Sequence, residues 1–369
     1  MSKFIKFRKY IITFIAISIL SMLVSGCSSI TARGSELSPD NLQVHFISVG
    51  QGDSELIKLP TGENVLIDAG DTDCDEYLVN YIKAQGVEEI DTVIATHPHS
   101  DHIGSMQDIL ENFKVNKIMM PDFDYDTVTY TNLLYSIDEN NVERIVAKYG
   151  DSFDEGAAHF EILGPVKQYE DANNISLVVM MTYGQTKYLF TGDQEVEAEK
   201  DLLSMGYDLR ADVLKVGHHG SSTSSSQEFL DAVRPSIAVI EVGEGNKYNL
   251  PEDEIIMRIA RGGTTVYRTD KSGNIVISSD GEELYVATDD TLENIFDPEK
   301  ILGIEEENTS GQSTSSSQAP QYEFIGNKNS KVYHADDCGQ LPNEENRVYF
   351  STQQEAEDAG YRPHSGCVE

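Results

Sequence analysis

Residues 95–104 read ATHPHSDHIG and place three histidines and an aspartate within six positions: His97, His99, Asp101 and His102. The whole chain has only 9 histidines. A solvated loop does not need such a cluster, and a protein core would have to supply a partner to several ring nitrogens at once. Imidazole and carboxylate side chains without thiolates suit zinc, and they also accept manganese or a similar ion. The stretch therefore predicts a metal site.

Strand and helix patterns alternate around this stretch, from residue 42 to about residue 287. The β-branched run DTVIAT (91–96) leads directly into the histidines. Two later apolar runs also end in potential ligands: TKYLFTGD (186–193) ends at Asp193, and DVLKVGHHGS (212–221) contains His218 and His219. Enzymes of the α/β class keep their chemistry at the carboxyl ends of strands. Three strands that end in ligands predict one convergent site.

The ligand types and their spacing predict two ions. His97 and His99 alternate in a short extended turn, so both can reach one ion, whereas Asp101 and His102 point towards a second. Asp193 is predicted to bridge the ions, and Asp101 also to take part in catalysis. Two ions about 3.5–4 Å apart hold a hydroxide between them, because each lowers the pKa of bound water towards about 7. The predicted cofactors are therefore two divalent ions, zinc or manganese, and the hydroxide is the nucleophile of a hydrolase.

The adjacent histidines after the third strand require a choice. Successive strand residues point to opposite faces, so only one of the two is well placed as a ligand. We favour His218 as the ligand, with His219 in the pocket as a catalytic proton donor or phosphate contact; the reverse assignment remains open. Ser221 is predicted near the pocket. Lys215 is predicted either to add local positive charge there or to be a solvated strand lysine.

These motifs resemble those of a known family. THPHSDHIG resembles the H-x-H-x-D-H signature of the metallo-β-lactamase superfamily, and FTGD and KVGHHGS follow in the order of its later metal motifs. More narrowly, VGQGDSELIKLPTGENVLIDAG (49–70), LKVGHHGSSTSSS (214–226) and YRTDKSGNIVI (267–277) resemble the hydrolase domain of ComEC-type DNA-uptake (competence) proteins. The resemblance covers about residues 42–287. It implies an αββα sandwich, two sheets face to face with helices outside, with a dinuclear site at the sheet edges.

One departure from that family concerns the first ion. Many superfamily members supply it with a further histidine between the cluster and the bridging aspartate. Here the region reads DANNISLVV (171–179), so Asn174 or Ser176 is predicted to face the ion, unless water completes its coordination. The first site is then more open, and an open position is what a catalytic metal needs.

The first 26 residues are predicted to be a signal peptide. Four basic residues precede an apolar run (11–24) that is shorter than the roughly 20 residues of a spanning helix. The run ends in VSGC, which resembles the bacterial lipobox, so Cys27 is predicted to carry lipid. Residues 27–41 would then tether the chain to the outer face of the cell membrane. An uncleaved membrane anchor is the alternative.

Charge limits the choice of partners. The chain has 27 Lys+Arg and 63 Asp+Glu, a formal net charge of −36 at pH 7. This excess of acid excludes a broad basic surface for nucleic acid. A phosphate substrate would have to be attracted locally, and bound divalent metal can supply that charge. The predicted partners are the membrane, through lipid on Cys27, and a phosphodiester substrate such as DNA.

The composition changes after the hydrolase domain, which is assigned residues 42–290. Residues 291–320 include EEENTSGQSTSSSQAP and predict a flexible linker. Residues 321–369 resemble the small Ada-like zinc-binding module of secreted bacterial nucleases and hydrolases, on the segments GNKNSKVYH, VYF and EAEDAGYRP. Two close pairs of ligands are predicted to hold a structural zinc: His334 with Cys338, and His364 with Cys367. A disulfide between the two cysteines is the alternative.

The favoured function is a membrane-tethered, metal-dependent phosphodiesterase or nuclease that acts on DNA or a related phosphodiester. Two other classes remain open because this fold hosts many activities. One is a hydrolase of a lactam, lactone or thioester that uses the same two ions. The other is a non-catalytic surface binding protein that keeps its metal for structure.

Overall fold

The structure is a computed structural model that describes residues 38–289 and, nearer the C-terminus, residues 324–328, 331–335, 347–350, 352–358 and 361–363. The chain divides into two compact units, residues 1–302 and 303–369. The predicted signal peptide, Cys27 and the predicted linker lie outside the described residues. Of the predicted tether, only residues 38–41 are described. Within the described ranges, no helix is long and apolar enough to cross a membrane.

The first unit is built from two sheets. Its strands are β1 (Leu42–Phe46), β2 (Glu55–Lys58), β3 (Asn64–Ile67), β4 (Glu89–Ile94), β5 (Lys114–Met120), β6 (Glu143–Val146), β7 (Ser152–Glu155), β8 (Ala158–Gly164), β9 (Val178–Tyr183), β10 (Thr186–Phe190), β11 (Val213–Lys215), β12 (Ile237–Ile240), β13 (Thr265–Arg268), β14 (Ile275–Ser279) and β15 (Leu284–Thr288). One sheet has the order β15-β14-β1-β2-β3-β4-β5-β6, and the other has the order β13-β12-β11-β10-β9-β8-β7.

Helices connect these strands. They are α1 (Asp75–Ala84), α2 (Ser100–Ile103), α3 (Met106–Asn112), α4 (Val128–Glu139), α5 (Val196–Ser204), α6 (Gln227–Val233), α7 (Asp253–Arg261) and α8 (Thr269–Ser272). Two 3₁₀ turns cover Asn173–Ile175 and Gly217–Gly220.

The main core lies between the two sheets. In β3, Val65 and Ile67 belong to this core, while Leu66 between them belongs to a separate cluster on the outer side. This alternation follows from the two-residue period of a strand. Across the core, the rings of Phe46 in β1 and Phe190 in β10 stack with their centroids 6.2 Å apart. The sandwich is therefore held together by side chains from both sheets.

Helices cover the outer face of each sheet. Leu78 of α1 and Ile109 of α3 pack on the first sheet, and Leu202 of α5 and Phe229 of α6 pack on the second. Strands that are buried on both faces need such a cover, because their side chains are apolar on both sides. The structure confirms the predicted αββα sandwich.

Parallel strand pairing determines where the loops that carry the candidate ligands lie. β3 and β4 run parallel in the first sheet, and β10, β11 and β12 run parallel in the second. The loops that leave the carboxyl ends of β3, β4, β10 and β11 carry Asp68, the histidine cluster, Asp193 and the histidine pair. The sequence-based expectation of convergent strand ends is confirmed, since these side chains lie within a few ångströms of one another.

The second unit is described in part. It has a sheet of order β18-β16-β17-β19, formed by β16 (Phe324–Asn327), β17 (Val332–Ala335), β18 (Arg347–Phe350) and β19 (Arg362–Pro363), and a helix α9 (Gln353–Asp358). His334 is buried on β17. Its predicted zinc partners Cys338, His364 and Cys367 lie outside the described residues. The four-ligand zinc site therefore stays a prediction.

Candidate metal centre

The loop after β4 forms one wall of the site. It contains the histidine cluster, of which His97 and His102 are buried. The loop between β1 and β2 approaches it closely: the backbone amide of Asp53 donates to the carbonyl oxygen of Asp101 at 3.1 Å. A Cβ atom on Gly52, whose φ is +150°, would come within 2.4 Å of that oxygen. Only glycine permits this approach, which brings the GQGD segment against the histidines.

His97 and His99 form the first set of ligand atoms. The Nε2 of His97 lies 3.1 Å from the Nδ1 of His99 and 3.9 Å from the Oδ2 of Asp193. The two rings are edge to face, with centroids 4.7 Å apart. The structure thus brings these two nitrogens and one carboxylate oxygen together, as the alternating H-x-H spacing predicts.

Asp101, His102, Asp193 and His219 form the second set, with one donor atom of each within 4.8 Å of the others. The Nε2 of His102 lies 3.3 Å from the Oδ2 of Asp193, and the Nε2 of His219 lies 3.3 Å from the Oδ2 of Asp101. The Nε2 atoms of His102 and His219 and the Oδ1 of Asp193 are buried without a hydrogen-bond partner. Buried polar atoms are almost always paired. A divalent ion fits this set of donors.

The two adjacent histidines exchange the positions that the sequence favoured. β11 ends at Lys215, and both histidines lie in the 3₁₀ turn Gly217–Gly220 with φ values of 49° and 51°. The alternation of a strand does not apply to such a left-handed turn. His219 is the buried one, and its Nε2 lies 3.5 Å from the Oδ2 of Asp193. The side chain of His218 is 25% exposed and lies 3.8 Å from the same oxygen. The geometry therefore favours His219 as the ligand and His218 as the pocket residue.

Two aspartates behind the ligands were missed by the sequence analysis. The Nδ1 of His102 donates to the Oδ2 of Asp68 at 2.7 Å, and Asp68 also accepts from the backbone amide of Thr96 at 2.8 Å. The Nδ1 of His219 lies 3.2 Å from Asp53 and 3.0 Å from the carbonyl oxygen of Glu241. Such contacts fix the ring orientation of a metal ligand. The signal in the sequence was an aspartate directly after β3, in LIDAGD.

The charges of the site shift each other's pKa. Burial lowers the pKa of His219, but Asp193 and Asp53 outweigh this effect and raise it to about 10. Burial raises the pKa of Asp193, yet His219 and His102 hold it well below its usual range. The buried carboxylates thus require positive charge. Protons on the histidines or bound divalent ions can supply it.

Lys215 is not the solvated strand lysine of the second prediction, and its positive charge lies behind the ligands rather than at the pocket. Its side chain is fully buried, and its Nζ forms an ion pair with Asp53 and donates to the carbonyl oxygen of Gly192 at 3.2 Å. Burial lowers the pKa of Lys215, while Asp53 raises it above its ordinary value. Lys215 is neither solvated nor at the pocket; it is the internal counter-ion behind His219.

Asn174 and Ser176 do not occupy the place predicted for them. The Oδ1 of Asn174 accepts from the backbone amide of Glu195 at 3.1 Å, and the Oγ of Ser176 accepts from the amide of Asp193 at 3.1 Å. Both side chains brace the turn that carries Asp193. The residue that lines the cavity is Asn173, whose Oδ1 is buried without a hydrogen-bond partner. Ser221 contacts Thr223, 3.1 Å away, and is not part of the cavity wall.

An open cavity of about 480 Å³ lies beside the ligand atoms. The two sets contribute His99, Asp101, Asp193 and His219 to its wall, and His218 lies beside them. The rest of the wall includes residues that the sequence analysis did not name as site residues: Gln51, Tyr125, Thr127, Asn173 and Tyr248. The volume is within the range of small-molecule sites, about 300–1,000 Å³.

Comparisons with known proteins find two family models that match this chain, one within each of the two compact units. The family model described as the metallo-beta-lactamase superfamily matches residues 47–243, and the model described as the metal binding domain of Ada matches residues 313–369. The first match contains every ligand atom described above. The second match contains the four predicted zinc ligands of the tail.

Individual relatives cover part of the chain. ComE operon protein 3 of Bacillus subtilis is 32% identical over 251 residues, which are 63% of this chain and 32% of the relative. Recombination protein 2 of Haemophilus influenzae is 28% identical over 250 residues, 66% of this chain and 29% of the relative. This chain spans about a third of the length of these curated relatives. The metallo-beta-lactamase fold protein YhfI from Bacillus subtilis aligns at 12% identity and a TM-score of 0.45, over 65% of this chain and 100% of that structure.

We expect His219→Ala to lose one bound ion per chain and His218→Ala to keep both, because the Nε2 of His219 lies among four ligand atoms while His218 lies at the cavity. Metal content after dialysis, measured by inductively coupled plasma mass spectrometry, distinguishes the two variants. Circular dichroism checks that each variant is folded. Loss of an ion from His218→Ala alone would restore the sequence-based assignment.

Lys215→Met is expected to destabilise the first unit by about 3–5 kcal/mol, because it leaves Asp53 as an uncompensated buried charge. Chemical denaturation measures the change. Lys114→Met is the matched control, since Lys114 pairs with Glu89 while its side chain is 68% exposed, and such a surface pair contributes about 0–1 kcal/mol. Equal unfolding midpoints for the two variants would contradict the role of Lys215 as an internal counter-ion.

Proposed function

The chain belongs to the metallo-β-lactamase superfamily, and from this membership we propose that it is a metal-dependent phosphodiesterase held at the outer face of the cell membrane. The family and the candidate ligands support a metal-dependent hydrolase. One observation carries the proposal further: two sets of ligand atoms share Asp193 beside an open cavity. Two-ion sites of this kind suit in-line displacement at phosphorus.

The first ion position is assigned to His97, His99 and Asp193, and the second to Asp101, His102, Asp193 and His219. Divalent ions bound there would acidify a water and offset the negative charge that develops on the phosphoryl oxygens. The residues behind them keep the donors in place. Asp68 holds the ring of His102, and Asp53 with the Glu241 carbonyl holds the ring of His219.

His218 is assigned the proton-transfer role that the sequence analysis gave to His219. It lines the cavity, and its Nδ1 lies 3.0 Å from the Oγ1 of Thr223 and 3.3 Å from Glu195. These contacts hold the ring by Nδ1 and leave Nε2 for the substrate. A histidine in this position can protonate a leaving oxygen, a contribution of about 10²–10⁴ in rate.

The phosphodiester class is supported by the relatives and by charge. The relatives include proteins named for recombination and competence, and the sequence motifs resemble those of DNA-uptake proteins. Because the net charge is −36, a phosphate would be attracted by ions bound at the site rather than by a basic surface. A phosphodiester carries one negative charge per phosphate, so bound ions can attract it in this way.

Asp193→Ala is expected to abolish phosphodiester hydrolysis and to lower the metal content, because both sets of ligands lose their shared carboxylate. The assay uses bis(4-nitrophenyl) phosphate and single-stranded DNA, with and without a chelator, and nitrocefin as the lactam alternative. Asp154→Ala, at a side chain that is 74% exposed, is the matched control and should retain activity. Hydrolysis of nitrocefin but of neither phosphodiester would replace the proposed substrate class.

The membrane tether is tested by Cys27→Ala. Without the lipid, the protein is expected in the medium or as an uncut precursor, because the apolar run that precedes Cys27 is short for a stable anchor. Cell fractionation with immunoblotting measures both outcomes. A mature-sized variant that stays with the membrane would contradict lipid attachment at Cys27.

A further inference from the structure

The loop between β12 and α7 presents an aromatic ring at the cavity. Tyr248 lines the cavity and is 55% exposed. The Nζ of its neighbour Lys247 lies 4.9 Å from the centre of its ring. A tyrosine that serves only to pack would be covered by other side chains, but this ring stays open to solvent beside the ligand atoms.

A single side chain holds the loop in shape. The Nδ2 of Asn246 donates to the carbonyl oxygens of Gly243 at 2.9 Å and Leu250 at 2.6 Å. Its Oδ1 accepts from the backbone amides of Tyr248 and Leu250, both at 3.1 Å. The amide of Gly243 also donates to the Oε1 of Gln51 at 3.2 Å, and Gln51 lines the same cavity. The backbone that carries Tyr248 is therefore pre-organised, which lowers the entropy cost of binding a ligand at this loop.

The charges around the cavity are arranged unevenly. Its wall, within the part of the chain that the structure describes, contains aspartates and histidines but no lysine or arginine. Lys247, which is not part of that wall, places its ammonium group over one face of the ring, so that the other face is left for a flat group. An anionic group of an extended ligand can pair with this ammonium after passing the metal centre, while a flat group rests on the ring.

Building on the proposed phosphodiesterase function, we propose that Tyr248 is the stacking platform for a nucleobase next to the scissile phosphodiester, with Lys247 beside a neighbouring phosphate. The substrate class is then a nucleic acid strand with unpaired bases. Base stacking on an aromatic side chain contributes about 1–3 kcal/mol per base and tolerates any base, because every base has a flat face. A polyol phosphate has no such face. A quaternary ammonium group would meet the like charge of Lys247 at the ring.

The binding arm of the test uses the metal-loaded full chain and fluorescently labelled tetrathymidylate with phosphorothioate linkages, which resist cleavage while the ions stay in place. Tyr248→Ala is expected to raise the Kd by about 5–150-fold, which corresponds to the free energy of one stacked base, while Tyr248→Phe keeps the ring and the affinity. Tyr135→Ala is the matched control, since Tyr135 is 66% exposed and does not line the cavity. Equal Kd values for Tyr248→Ala and the unchanged protein overturn the proposal.

The kinetic arm uses the metal-loaded chain and three substrates with the same leaving group: thymidine 5′-(4-nitrophenyl phosphate), methyl 4-nitrophenyl phosphate and 4-nitrophenyl phosphorylcholine. Tyr248→Ala should raise KM for the thymidine substrate and leave KM for the methyl substrate unchanged. An equal rise for the thymidine and methyl substrates, or a rise only for 4-nitrophenyl phosphorylcholine, overturns base stacking. If none of the three is hydrolysed while tetrathymidylate binding still depends on Tyr248, the stacking site stands and the proposed reaction fails.

Discussion

The candidate metal centre depends on Asp193, a buried carboxylate at the junction of the two sheets. Its Oδ2 lies 3.3 Å from His102, 3.5 Å from His219 and 3.9 Å from His97. His97 and His102 follow a strand of the first sheet, whereas Asp193 and His219 follow strands of the second. Neither sheet alone supplies all the ligands of either set. The packing of the apolar core between the sheets therefore brings the two groups of ligands together, and the loops set the exact positions of the side chains.

The burial of so many charged groups together is offset in part by ion pairs among them. Asp68 pairs with His102, and Asp53 pairs with Lys215 and faces His219. Glu55 and Glu241 also lie in this buried region, and burial with the nearby Asp53 raises the pKa of Glu241 to about 8. Burial and the Glu241 charge likewise raise the pKa of Glu55 well above its usual value. Burial therefore favours the neutral form of both carboxyl groups, which reduces the negative charge that Lys215 has to balance.

The sequence predicted much of this site for a physical reason. Metal ligation needs particular side-chain types, and the spacing H-x-H-x-D-H alone brings them together in one turn. Strand patterns then show which chain segments end near that turn. The same reasoning did not extend to the residues around the ligands: Asn173 replaced Asn174 at the cavity, and Lys215 turned inwards. Asn173 lies in a 3₁₀ turn, to which neither the strand nor the helix period applies. Lys215 is the last residue of β11, and the buried Asp53 that it pairs with comes from a distant segment of the chain.

The sequence by itself predicted a metal centre from the residue types that follow its strands, and its resemblance to a known family implied the αββα architecture that the structure shows, because ligand types and motif spacing are local properties. Only the tertiary structure decided between His218 and His219, since both adopt positive φ values of 49° and 51° in a turn whose direction is imposed by its surroundings. Only the tertiary structure joined Gln51 to the Gly243 loop and set Tyr248 at the cavity. These contacts link segments almost two hundred residues apart, and no local pattern encodes a distance that arises only when the two sheets pack.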